Sequence, residues 1–294
     1  MTGPTAIPWV DLHLHTRFSD GSWSPTNLLA EAARLKLAAI AVTDHDTMDG
    51  IPETIAARER LLANGQFAPD VIAGVELTCR LDQHEIHILG YFNHNTWQSP
   101  LLQQVMAHAR HIRRQRGEQI VAKLAQLGFH LPFDAVLDCA GNGTVGRPHV
   151  AMAMVKHGLV RNLDEAFTRF LRRGRPAFID RYRMSSPEAI GHIKRAGGVA
   201  VLAHPGIAQI DDRLADLAAQ GLTGLEAWHS RHSHSQTRRY RDIAQRLGLI
   251  ATGGSDCHGT VRGAPLLGTV RVPVECLRSL QQALTTSVQL TPNP

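Results

Sequence analysis

The chain has 294 residues, enough to bury a large core, and at 43% hydrophobic and 19% charged it fits neither a disordered segment nor a fibre. No run approaches the ~18 apolar residues of a membrane span. Met1–Trp9 lacks the basic start and apolar core of a secretory signal, and four scattered cysteines argue against a disulfide scaffold, so a reducing cytoplasm is expected. The net charge is +5 with neutral histidines. The seventeen histidines outnumber Phe, Trp and Tyr together, and histidine is the commonest metal ligand and the usual proton carrier near neutral pH.

In chain order, Trp9–His15 reads as a short buried strand. Ser24-Pro25 supplies an N-cap and an N1 proline for a helix over Thr26–Leu37. Ala38–Thr43 is the next strand, followed by a helix from Ile51 to Leu62. Val71–Thr78 and Glu85–Tyr91 are apolar, β-branched strands. Residues 98–175 carry helical periodicity and no convincing strand: Leu101–Leu127, with a break expected near Gly117, then Arg147–His157 and Leu163–Arg173. Strand–helix alternation resumes with a helix from Ser186 to Ala196 and a strand at Gly198–Ala203. A helix near Asp212–Gln220, a strand at Thr223–Trp228, a helix at Ser235–Leu247 and a strand at Leu249–Gly253 follow. Such alternation predicts an α/β fold with a mostly parallel sheet or barrel. Residues 1–97 and 176–294 are expected to form it, with 98–175 as a helical insertion covering its site. Between Gln98 and Asp180 there are twelve Lys/Arg against six Asp/Glu, so the excess positive charge of the chain lies in the insertion.

The chemistry-bearing residues fall at recurrent places on this map. Asp11-Leu12-His13-Leu14-His15 ends the first strand, and alternation puts His13 and His15 on one face. Asp20 follows in a Ser-Asp-Gly turn. Thr43-Asp44-His45-Asp46 ends the second strand and Gly74-Val75-Glu76 lies late on the third. His84, Glu85 and His87 sit on the fourth, Ala203-His204-Pro205 ends another, and Gly254-Ser255-Asp256-Cys257-His258 ends the last. Carboxyl ends of parallel strands form one face, where active sites are built. Converging imidazoles and carboxylates without thiolates are the ligand set of Zn, Mn or Fe hydrolytic centres. Taken singly, each element has a plainer reading. His13 and His15 could be a satisfied core pair, Asp20 could shape its turn, His204 could be structural, Asp44 could serve as a supporting hydrogen-bond acceptor and Asp46 as a helix cap. A buried Glu76 needs a partner in any reading.

Taken together, these segments, with His87-Ile-Leu-Gly90 and Arg147-Pro-His149, resemble the PHP (polymerase and histidinol phosphatase) superfamily, in its TrpH-type (YciV-like) branch. The resemblance runs from residue 9 to about 260. It implies a distorted (β/α)7 barrel with an inserted helical subdomain and three divalent metals, Mn being favoured for activity over Zn or Fe. It further implies hydrolysis of 3′,5′-nucleoside bisphosphates or of the 5′ ends of short RNA by a metal-bound hydroxide. Carried over by position, it implies a first metal on His13, His15, Glu76 and Asp256, a second on Glu76, His87 and His204, and a third on Asp20, His45 and His258. Glu76, Asp256 and His204 are then the catalytic group. Cys257 stands where the branch has phenylalanine and is expected to pack as an apolar group, and His84 to lie at the surface.

Arginines bind phosphate in a bidentate fork, so Arg17, after His15, and Arg147 and His149, at a helix start, are expected substrate contacts. His229, after a strand end, is expected to touch substrate or leaving group. Arg113 and Arg116, in a basic helical run, read as a solvated face, as do His232 and His234, while Trp228 reads as core. The partner expected is a small anionic nucleotide or short RNA end. No membrane and no stable DNA duplex are expected, and oligomeric state is not encoded in any motif. The competing readings are a phosphatase for another small ester such as histidinol phosphate, and a non-catalytic PHP module that binds metal or RNA.

Overall fold

The computed structural model describes residues 9–93, 96–180, 184–261 and 263–290. The Thr291–Pro294 tail and Met1–Pro8 lie outside them. The strands are β1 (Trp9–Leu14), β2 (Ala39–Val42), β3 (Asp70–Leu81), β4 (His84–Phe92), β5 (Met184–Ser185), β6 (Val199–Leu202), β7 (Gly224–His229), β8 (Ile250–Gly254) and β9 (Val272–Pro273). The helices are α1 (Pro25–Arg34), α2 (Ile51–Ala63), α3 (Pro100–Gln126), α4 (Phe133–Ala140), α5 (Arg147–Lys156), α6 (Leu163–Ala166), α7 (Ser186–Arg195), α8 (Pro205–Ala208), α9 (Leu214–Ala219), α10 (His234–Leu247) and α11 (Val274–Leu290).

The sheet runs β8-β7-β6-β4-β3-β2-β1-β9, with β5 beside β3. It curls until the ends meet: His15 N donates to Cys257 O at 3.0 Å and Asp256 N to His13 O at 2.9 Å, just past β8. A Cβ on Gly254 would collide with His13, so glycine is what lets β8 approach β1. The result is a distorted, nearly closed α/β barrel. It is more mixed than alternation alone predicts, because β4 is antiparallel to both β3 and β6. Asp82, at φ +51°, turns the chain tightly from β3 into β4. This reversal brings His87, early on β4, to the end of the barrel where the parallel strands finish.

Packing fixes which side chains face inward. Leu89 and Tyr91 of β4 and Val199 and Val201 of β6 form one cluster with Val10, Leu12, Ala39 and Ala41, capped by Leu277, Leu280 and Leu284 of α11. The intervening Ile40, Val42, Ile88 and Leu202 join the larger cluster under α1, α2 and α7. Register slips between Asp11 and Leu14. Leu12 therefore packs with the first cluster and Leu14 with the second, and His13 and His15 fall on the face opposite Leu14.

The helices from α3 to α6 carry an apolar cluster of their own, including Ile120, Leu124, Val136, Val150, Met154 and Phe170. Gly117 does not break α3, which runs uninterrupted for 27 residues. A Cβ there would press on Phe133 and Val145, each at 3.0 Å, so the glycine admits α4 rather than ending α3. The expected helix over 163–173 is instead a short α-helix continued by a π-helical turn, Phe167–Leu171. None of the four cysteines is in a disulfide. Among the described residues, no helix is long and apolar enough to cross a membrane.

Candidate metal centre

At the carboxyl end of the parallel strands, the buried Glu76 carboxylate is ringed by five imidazoles. Its Oε2 lies 3.3 Å from His13 Nε2, 3.1 Å from His15 Nε2 and 3.1 Å from His45 Nδ1. Its Oε1 lies 2.6 Å from His87 Nδ1 and 3.1 Å from His204 Nε2. Asp256 Oδ1 stands 3.1 Å from His15 Nε2, and Asp20 Oδ1 3.2 Å from His258 Nε2. All nine side chains singled out from the sequence as ligands are thus gathered in one place.

The ligand atoms fall into overlapping sets, each within 4.8 Å: His13, His15, Glu76 and Asp256; His15, Asp20, His45 and His258; and His45, Glu76 and His87. The first equals an expected set, and the second contains one with His15 added. The third brings His45 to Glu76 and His87, with His204 reaching the same carboxylate from the other side. A further set, His13, Glu226 and His229, was not expected.

Charge and burial explain why such a cage suits cations. Burial alone would push the Glu76 carboxyl up, but His45, His87 and His13 hold it well below the usual carboxylate range. Asp256, beside His13 and His15, and Asp20, beside His258 and His45, are likewise buried yet held well below it. Burial opposes charge on His15, but Asp256 and Glu76 outweigh it and raise the ring to about 10. Burial dominates at His45 and lowers it to about 3. The buried atoms His13 Nε2, His15 Nε2, His45 Nδ1 and Glu76 Oε2 have no hydrogen-bond partner. Buried polar atoms are ordinarily satisfied. Four crowded lone-pair donors left without partners fit divalent cations.

Supporting contacts hold the cage. Asp44 accepts from Thr16 N (2.7 Å), Thr16 Oγ1 (2.6 Å) and Ser19 Oγ (2.6 Å), which fixes the loop carrying Asp20. Glu226, fully buried on β7, was missed. It lies 3.1 Å from His13 Nδ1 and accepts from His204 N at 2.8 Å. The signal was present as a lone carboxylate inside an apolar strand. His204 sits at φ +30° and Asp256 at φ +55°, left-handed conformations that non-glycine residues seldom adopt and that concentrate at functional sites.

Other expectations are corrected. Asp46 caps no helix; α2 begins after Gly50. Asp46 instead pairs with Arg113 Nε at 2.5 Å, so Arg113 is not a solvated residue. Arg116 is also buried, donating from Nε to Ile179 O at 2.8 Å. His232 is half-buried, 3.0 Å from Ala227 O through Nδ1. Trp228 is only partly buried, with the Arg241 guanidinium 5.2 Å above its ring. Cys257 is fully buried in the core and His84 is exposed.

A cleft of about 490 Å³ opens beside Asp20, walled by Arg17, Phe18, Asp138, Asn142 and His149. Arg17 is largely exposed and pairs with Glu53 at 2.8 Å. His149 accepts from Gly146 N at 3.0 Å; burial lowers its pKa. Arg147 does not line this cleft. It reaches Leu171 O at 3.4 Å and lies over the Phe178 ring. The buried His229 has its Nε2 3.6 Å from Asp256 Oδ2.

Comparison with known proteins follows the same line. The sequence pattern of the PHP domain matches residues 11–142. A 3′,5′-nucleoside bisphosphate phosphatase of Chromobacterium violaceum is 32% identical over 274 residues, 91% of this chain and 93% of that protein. The 5′-3′ exoribonuclease Rnm of Salmonella typhimurium is 31% identical over 253 residues, 84% of each. A solved structure from Bifidobacterium adolescentis, described as a metal-dependent phosphoesterase, superposes with a TM-score of 0.84 at 31% identity over 95% of this chain and 97% of that one.

Proposed function

The chain belongs to the PHP family of metal-dependent phosphoesterases, and from that premise we propose that it hydrolyses phosphate esters of nucleotides, converting a 3′,5′-nucleoside bisphosphate to the 5′-nucleotide and phosphate and acting also on the 5′ end of short RNA. The observation that carries this reading is the Glu76 cage, with its unpartnered ligand atoms, opening beside a cleft that holds Arg17 and His149. The relatives named above act on small nucleotides and RNA ends, and their similarity extends over nearly the whole chain.

In this proposal three divalent cations, with Mn favoured, would be held by the three sets derived from the family resemblance, Glu76 belonging to the first two. Bound there, they would supply charge neutralisation of the phosphoryl oxygens and a lowered pKa for water near the phosphorus. The chain's own residues do the remaining work. Glu76 and Asp256 stay ionised and His204 is oriented by Glu226. Arg17 and His149 bind the phosphate that is not cleaved and orient the substrate for in-line attack. His229, buried beside Asp256, supplies a proton to the departing oxygen. Arg147 takes part through the start of α5, whose N-terminus favours an anion. Residues 98–175 are an insertion that walls the cleft, and cysteines outside any disulfide suit a reducing cytoplasm.

The test is a phosphate-release screen in Mn-containing buffer with adenosine 3′,5′-bisphosphate, histidinol phosphate and a short 5′-phosphorylated RNA, with elemental analysis of the same sample. Release from the bisphosphate and the RNA, with metal bound, is expected. Release from histidinol phosphate alone, or from none, would reject the proposal.

A further inference from the structure

A second cleft, of about 690 Å³, lies against β7 and α10, within the usual volume range of ligand sites, about 300–1,000 Å³. Its walls include Trp228, His232, His234, Arg238, Arg241 and Arg271, and among the described residues no acidic one lines it. His234, Arg238 and Arg241 are spaced four and three apart, so they share one face of α10. The helix's acidic Asp242 lines a different cleft, with Asp211 and Asp212. Among the described residues no carboxylate pairs with Arg238, Arg241 or Arg271. Arg241 is stacked on Trp228 at 5.2 Å and Arg271 on Trp9 at 5.8 Å, so both guanidiniums are pre-oriented rather than neutralised.

The cleft adjoins the metal centre at His229. That residue lines it and approaches Asp256 Oδ2 to 3.6 Å on its other side. Two clefts therefore border the cage. The one beside Asp20 combines Arg17 and His149 with the carboxylates of Asp20 and Asp138; the described residues that line the one beyond His229 are all neutral or basic. A polyanion whose terminal phosphate is in the cage therefore meets mixed charge along the first and uncompensated positive charge along the second.

We propose that the β7–α10 cleft binds the phosphodiester backbone of a single-stranded oligonucleotide, so that Arg238, Arg241 and Arg271 hold the nucleotides downstream of the reacting end. This inference rests on the phosphoesterase reading of the cage, but the site itself is independent of catalysis. It gives the protein a means of distinguishing an oligonucleotide, which fills both cage and cleft, from a mononucleotide, which needs the cage alone.

The experiment measures equilibrium binding of a fluorescent 5′-phosphorylated ten-nucleotide RNA to the full chain in EDTA, across salt concentrations. Phosphate release from adenosine 3′,5′-bisphosphate with Mn is measured in parallel. The variants are R238Q/R241Q and, because loss of the Arg241–Trp228 stack could perturb folding, R238E alone and R271Q, each checked by thermal melting. The double variant should bind RNA at least tenfold more weakly, with the slope of log affinity against log salt reduced by about 1.4, roughly 0.7 per lost contact on a single strand. R238E and R271Q should each weaken binding, and bisphosphate turnover should stay within twofold for every folded variant. Undiminished RNA binding in the folded variants, no binding by the wild type, or equal binding of duplex RNA would overturn the proposal. Weakened RNA binding alongside a wild type that releases no phosphate would leave the cleft standing and reject the proposed function instead.

Discussion

Glu76 Oε1 lies 2.6 Å from His87 Nδ1, although the two residues come from strands that run in opposite directions. The contact exists because β4 folds back on β3, putting the beginning of one strand beside the late part of the other. Glu76 is thereby shared by rings from β1, the β2 loop, β4 and the loop after β6. Replacing it with glutamine preserves shape but removes the charge that holds them together. Glu76→Gln should lose about 10³-fold or more in turnover, the scale of the several kcal/mol that metal ions contribute to transition-state charge stabilisation. Elemental analysis should find fewer bound metals than in the wild type. Full metal content with near-normal turnover would end the bridging assignment.

Removing the metals should also be visible in stability. Ligands that bind only the native state stabilise it by about 2.7 kcal/mol at a hundred times their dissociation constant. Treatment with a chelator should lower the melting temperature and abolish phosphate release, and added Mn should restore both. A melting temperature indifferent to chelation and to added Mn or Zn would show that the cage holds no cation.

Glu226 tests whether the cage depends on its supports. Its carboxylate stands 3.1 Å from His13 Nδ1 and accepts the His204 backbone N–H at 2.8 Å. The first contact directs His13 Nε2 towards Glu76, and the second holds His204 at its left-handed φ. Carboxylates behind metal-binding histidines typically contribute about 10–100-fold in affinity or activity. Glu226→Gln should fall in that range, measured as Mn affinity and turnover, with an unchanged fold by circular dichroism. Glu226→Ala should fall further. Wild-type values for both would make Glu226 a bystander.

The nine candidate ligands were legible because most lie on or just after apolar strands that end at one face, where a His, Asp or Glu has one chemical use in common. Asp44 was legible for the same reason. What escaped depended on which elements meet. The run containing Arg113 and Arg116 has the look of a solvated helix face, and only the approach of the β2 loop and of residue 179 buries it. Glu226 sits in a strand whose pattern gives no hint that two histidines lie behind it. The reversal at Asp82 carries a weak local signal, one aspartate in a tight turn. Helix α11 was missed although Leu277, Leu280 and Leu284 recur at helical spacing, because its role as a cap on the inner cluster is set entirely by tertiary packing.

Acid should loosen the α5–α6 region in a predictable direction. Glu165 accepts from Arg161 N at 2.8 Å, Arg169 Nη1 at 2.6 Å and Arg161 Nε at 3.1 Å, which lowers its pKa to about 2. Because the folded pKa lies below the unfolded one, the stabilisation is complete above about 4.5 and fades as pH falls towards 2. Glu165→Gln should melt earlier than wild type at pH 6, and the gap should narrow steadily from about pH 4.5 down towards pH 2. The gap should also shrink in high salt, since these arginines are exposed. A gap that widens on acidification would contradict the assignment.

The Arg113–Asp46 pair joins α3 to the loop that carries His45, and it makes the sharpest distinction between a solvated helix face and a structural tie. Arg113 Nε lies 2.5 Å from Asp46 Oδ2, with side-chain exposures of only 11% and 5%. Asp46 Oδ1 also accepts from Thr78 N at 3.2 Å, so the pair spans α3, the β2 loop and β3. Truncating one member of a buried pair strands the other charge, at a typical cost of about 3–5 kcal/mol, whereas replacing both with neutral groups of similar size costs much less. Arg113→Ala should therefore lose about 3 kcal/mol in urea unfolding, and the double variant D46N/R113M should recover most of that loss. Turnover of the single variant should also fall, because the neighbouring His45 depends on the same loop. A change below about 0.5 kcal/mol in Arg113→Ala, the ordinary scale of surface substitutions, would mean that the guanidinium is solvated after all and that α3 is held to the barrel by apolar packing alone.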